Sequence, residues 1–136
     1  MAIVGIGNDL VEIARIEQVL ARTPERFAAR ILTASELSQF QQHKQPARFL
    51  AKRFAAKEAA AKAIGTGIAA GVTFQDFEVT NDAAGRPLLS LSGQAKTLAN
   101  QRGVSACWLS LSDERHYALA TVVLESVSPG GGESIN

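Results

Sequence analysis

With 136 residues, 46% of them hydrophobic and 20% charged, the chain can build one soluble globular domain with a real core and is short for two. A single cysteine, Cys107, excludes an intramolecular disulfide framework and any multi-cysteine zinc site, and the formal net charge of +1 conceals two basic clusters. No basic N-terminal segment leads into a long apolar run, so neither a signal peptide nor a membrane span is expected, and a cytoplasmic location is the default.

In chain order, Ala2 to Gly7 reads as a short strand whose glycines allow close approach or a bend. Asn8-Asp9 reads as a turn or helix start. Asp9 and Glu12 form a capping pair for a helix to about Ala21, which carries Ile13, Ile16 and Leu20 at helical spacing. Pro24 opens a second, short helical piece with Phe27 and Ile31 inward. Thr33-Ala34-Ser35-Glu36 is a capping box that starts a helix to about Gln42. Pro46 suits a first helical turn and predicts a long alanine-rich helix to Ile64, followed by Gly65-Thr66-Gly67. On that helix Leu50, Phe54 and Ala61 share a side, and Glu58 falls among them. A carboxylate on an apolar stripe needs a partner: either Lys62, one turn on, or a metal ion.

After Gly71 the period changes. Phe74 to Thr80 and Pro87 to Leu91 read as a hairpin around the turn Asn81 to Gly85. Ser92 is expected to cap a helix to about Gln101, closed by Gly103. Val104 to Ser112 and His116 to Leu124 read as two further strands, with Cys107 packed inside the first. Pro129 and three consecutive glycines predict a disordered tail over 126–136, so the domain covers 1–125. Hairpin-connected strands beside segregated helices argue for an α+β fold with a mainly antiparallel sheet and one long central helix.

Two basic sets stand out. Lys44, Arg48, Lys52, Arg53, Lys57 and Lys62 face a single acid, Glu58; Arg15, Arg22, Arg26 and Arg30 lie in the first helical region. Each set is either a solvated helix face or a surface for phosphates or an acidic partner. A small nucleic-acid-binding domain is the weaker option: Trp108 and Tyr117 lie in strand-like runs away from these residues, and no recognised motif is present. Asp9 and Glu58, two carboxylates with few other ligands, suit Mg²⁺, which keeps several waters and binds substrate phosphates. Arg53, Lys57 and Lys62 lie near them in sequence, and backbone N–H groups at Gly65, Thr66 and Gly67 can approach a phosphate, unless that loop is only a helix cap.

Gly5-Ile6-Gly7-Asn8-Asp9-Leu10-Val11-Glu12-Ile13, followed by Arg15-Ile16, resembles the N-terminal motif of the holo-[acyl-carrier-protein] synthases. The stretch Arg53 to Gly67 (RFAAKEAAAKAIGTG) resembles their second, more diagnostic motif, and together the likeness spans about residues 2 to 125. It implies a 4′-phosphopantetheinyl transferase, which moves the arm of coenzyme A onto a serine of apo acyl carrier protein and releases adenosine 3′,5′-bisphosphate, in fatty acid biosynthesis. The resemblance makes Asp9 and Glu58 the Mg²⁺ ligands and puts Lys62, with Gly65, Thr66 and Gly67, near coenzyme A. It turns Arg15, Arg22, Arg26 and Arg30 towards the acidic helix of the carrier. It also implies a homotrimer with active sites between subunits. Where many members carry Ser-His near the last hairpin, this chain has Ser112-Asp113, with His116 three residues on. A non-catalytic carrier-binding module is the rival reading, in which Asp9 would be a cap and Glu58 half of a helical ion pair.

Overall fold

The alanine-rich stretch forms the helix expected of it, Pro46–Ile64, with Pro46 in its first turn and Gly65 left-handed (φ 101°) at its end. The computed structural model describes residues 1–127, so the expected tail lies outside them from residue 128 on. The elements are β1 (Ala2–Glu12), α1 (Ile13–Arg22), α2 (Arg26–Ile31), α3 (Ala34–Gln42) and α4 (Pro46–Ile64). After a 3₁₀ turn (Phe74–Asp76) come β2 (Phe77–Asn81), β3 (Pro87–Leu91), α5 (Gly93–Gln101), β4 (Ala106–Asp113) and β5 (Tyr117–Ser126). The fold is α+β with antiparallel pairing throughout, divided into a three-stranded sheet, β1-β5-β4, and a separate β2-β3 hairpin.

Helix α4 packs against β1 and β5 through small side chains: Ala55, Ala56 and Ala59 are fully buried and Ala60 nearly so. The approach is almost backbone to backbone. A Cβ on Gly5 would lie 2.0 Å from the Ala63 carbonyl oxygen, and one on Gly7 only 1.9 Å from that of Ala59. This contact fixes the height of β1 along α4.

Three expectations need correcting. β1 runs on through Asp9 to Glu12, because residues 8–12 pair with Tyr117 to Thr121 of β5 and Val11 is buried. Asp9 therefore caps nothing; Glu12 takes the N-cap position of α1 and makes no side-chain cap bond. Phe74–Asp76 is a 3₁₀ turn, so strand β2 begins only at Phe77. Ser92 occupies the N-cap position of α5 without capping it, and Asp76 Oδ2 accepts from the Ala95 N–H (3.1 Å) instead. The Thr33–Glu36 capping box is present in both halves.

That box is part of a larger buried network. Glu36 Oε1 accepts from Thr33 N–H (2.9 Å) and from Lys57 Nζ, while Oε2 accepts from Val79 N–H (2.7 Å). Lys57 Nζ also donates to the Ile31 carbonyl at the end of α2 (2.7 Å). Lys57 is fully buried: it ties α2 and α3 to α4 and takes no part in a phosphate surface. Burial pushes its ammonium pKa down, and Glu36 works against that shift.

Candidate active site

The extension of β1 changes what Asp9 can do. Held in the strand opposite Ala120, it meets α4 where Lys62 Nζ donates to its Oδ1 (2.9 Å) and to the Asn8 carbonyl (3.1 Å). Lys62 thus pairs with the strand and acts on Glu58 only through space. Asp9 and Glu58 line one open cleft of about 560 Å³, whose walls include Ile16, Phe27, Phe54 and Tyr117. Burial raises the Glu58 carboxyl above the usual carboxylate range, the Asp9 charge raises it further, and Lys62 opposes both.

Glu58, disfavoured by burial and by the Asp9 charge at the same cavity, belongs to a donor pair that a hard divalent cation would relieve. Among the described residues no group of three or more His, Cys, Asp or Glu side chains comes together. Asp9 and Glu58 therefore fit Mg²⁺, which takes one or two protein carboxylates and completes its shell with water and phosphate, better than a closed structural metal centre.

The N–H groups of Gly65, Thr66 and Gly67 all donate to the Ala61 carbonyl (3.1, 3.3 and 3.1 Å), so the loop caps the C-terminal end of α4.

Arg53 lies away from the carboxylates. Its guanidinium is buried, stacks over the Phe49 ring (4.3 Å to the centroid), and its Nε has no hydrogen-bond partner. Burial draws its pKa down, with Glu36 opposing. It lines a second cavity, also about 560 Å³, together with Arg48, Lys52, His43, Asn81 and Pro87. Arg48, Lys52 and Arg53 line a cavity that shares no residue with the one lined by Phe54 and Glu58. Arg48 donates to Gln45 Oε1 (3.1 Å), Asp113 Oδ2 (2.8 Å) and the carbonyls of Glu114 (2.6 Å) and Arg115 (3.2 Å). Lys52 Nζ lies 3.5 Å from Asp113 Oδ1. Sequence reasoning counted Arg48 and Lys52 as basic without assigning them to a site. Their partner Asp113 sits at the end of β4, some 60 residues away in sequence, and no local signal announces it.

Arg15, Arg22, Arg26 and Arg30 are all exposed on α1 and α2. Arg15 also lines the carboxylate cavity, its Nε 3.4 Å from Glu12 Oε1, and Arg30 lies over Phe74 (5.8 Å). The sheet face opposite α4 is open and mixes large apolar side chains with polar ones: Ile3, Ile6, Leu10 and Trp108 are each at least half exposed, while Asn8 donates to Thr121 and Trp108 to Glu125 Oε1. Ile6, Val123 and Trp108 stand in one row across its three strands. No helix of the described residues is long and apolar enough to cross a membrane.

Comparison with known proteins identifies the family. Residues 5–122 match the family model of the 4′-phosphopantetheinyl transferase superfamily. A holo-[acyl-carrier-protein] synthase of Vibrio cholerae serotype O1 is 64% identical over 123 residues, covering 90% of this chain and 98% of that protein. The crystal structure of the synthase from Neisseria meningitidis superposes with a TM-score of 0.85 at 44% identity, over 92% of this chain and 100% of that one. The Bacillus anthracis synthase, solved in complex with CoA (3′,5′-ADP), does so at 0.77 and 43% identity, over 91% and 97%. The chain belongs to the 4′-phosphopantetheinyl transferase superfamily, and within it to the holo-[acyl-carrier-protein] synthases.

Proposed function

We propose that this protein transfers the 4′-phosphopantetheine group of coenzyme A to a serine of apo acyl carrier protein, releasing adenosine 3′,5′-bisphosphate, in the cytoplasm and in the service of fatty acid synthesis. The observation that carries the reading is the convergence of Asp9 and Glu58 on one cavity beside Lys62. Asp9 and Glu58 would hold Mg²⁺, which when bound neutralises charge on the diphosphate. Lys62, half exposed and already oriented by Asp9, offers a donor to a phosphate oxygen. Glu58, its carboxyl raised by burial, is suited to take the serine proton directly or through a water it orients. The nucleophile comes from the partner, so the chain needs none of its own. The exposed arginines of α1 and α2 form the surface that meets the acidic carrier.

The basic cavity is the second half of this reading. A buried guanidinium whose Nε has no partner is costly unless an anion completes it, and a phosphate of coenzyme A does so. The two cavities share no lining residue. The open sheet face supports a homotrimer in which the carboxylates of one subunit meet the basic cavity of the next.

The test is mass spectrometry of apo carrier protein after incubation with this protein, coenzyme A and Mg²⁺. A carrier that gains the phosphopantetheine mass, and fails to gain it with chelator or with Asp9→Asn, is the expected result. An unmodified carrier with the intact protein removes the reading.

A further inference from the structure

We propose that Asp113 is a built-in anion for the basic cavity, neutralising Arg48 and Lys52 and so setting how tightly that cavity holds a phosphate. The inference rests on the reading of this cavity as a coenzyme A phosphate site. Three cations line the cavity, and two of them meet opposite oxygens of the one carboxylate: Arg48 at 2.8 Å from Oδ2 and Lys52 at 3.5 Å from Oδ1. Of these three, Arg53 alone has no ion-pair partner among the described residues. Burial disfavours the charge on Asp113, but the contacts with Arg48 and Lys52 outweigh it and hold the carboxyl below the usual carboxylate range. The group is therefore ionised at neutral pH.

A strut would be the ordinary role for such a residue, and the contacts of Arg48 argue against it. Arg48 keeps three other acceptors, Gln45 Oε1 and the Glu114 and Arg115 carbonyls, so its place does not depend on Asp113. What Asp113 adds that these neutral acceptors do not is a negative charge on two of the three cations that line the cavity. The charge has a use in a transfer reaction. Substrate and leaving product carry the same adenosine phosphates, so a cavity with three unpaired cations would hold the product as firmly as the substrate. Asp113 weakens both and speeds release.

The test is Asp113→Asn, which keeps the shape and removes the charge. Calorimetry should show coenzyme A binding about three- to tenfold tighter at low ionic strength, with the gain shrinking in high salt. Saturated turnover should fall as product release slows, while the apparent KM for coenzyme A drops. Unchanged or weaker binding overturns the proposal and leaves Asp113 a strut. A second measurement needs no coenzyme A: thermal stabilisation by inorganic pyrophosphate should be larger in Asp113→Asn than in the parent, and equal or smaller stabilisation overturns it equally. If the parent fails to bind coenzyme A, the functional reading is lost, and the pyrophosphate comparison still decides the role of the charge.

Discussion

Glu58 sits where its charge is unwelcome, and that gives the site a measurable signature. Its carboxyl is raised by burial first and by Asp9 second. A group whose folded pKa lies above its unfolded one favours folding when protonated; that contribution is complete below the unfolded value and is lost as pH rises through the folded one. Above its folded pKa the ionised Glu58 is therefore a liability. Glu58→Gln should raise the melting temperature at alkaline pH, and the difference should disappear well below the unfolded pKa, where Glu58 is protonated in both states. Transfer should fall by about 100-fold or more over the same comparison. Differential scanning fluorimetry across pH checks the first claim; a gap that persists in acid would show that Glu58 carries no such penalty.

Among the elements, α4 and α3 were legible because their signals are local: Pro46 at one end, Gly65 at the other, and the Thr33–Glu36 box all act within a few residues. The end of β1 was not. Asn8-Asp9 carries turn chemistry, and a partner strand more than a hundred residues later overrides it. The pairing of Asp9 with Glu58 was readable as chemistry, while the contact of Lys62 with Asp9 depends on how deep β1 lies against α4. That depth is testable. Gly7→Ala puts a Cβ into the Ala59 carbonyl, which must push strand and helix apart. We expect several kcal/mol of destabilisation in urea titration, and in the surviving folded fraction a loss of turnover, because Asp9 lies two residues on. On α1, Arg15→Glu should raise the apparent KM for carrier protein and leave that for coenzyme A nearly unchanged. If Arg15 only solvates its helix, the effect should stay within about 0–1 kcal/mol on either substrate. Steady-state kinetics with each substrate varied in turn separates the two.

At the scale of the whole molecule, the open row of Ile6, Val123 and Trp108 asks for a cover. If that cover is a second copy, Trp108→Glu should give a smaller particle in light scattering and lower specific activity, most sharply at high dilution. A fully active monomer would set the shared site aside. The two separate cavities carry a genetic consequence. A Glu58→Gln chain still owns a sound basic cavity, and an Arg53→Gln chain still owns sound carboxylates. In a ring of three, each kind can lend its neighbour the half it lacks, so about one site in three of every mixed ring is whole. Two inactive proteins, unfolded together and refolded as a mixture, should recover roughly a third of normal activity in their mixed rings, whereas either refolded alone recovers none.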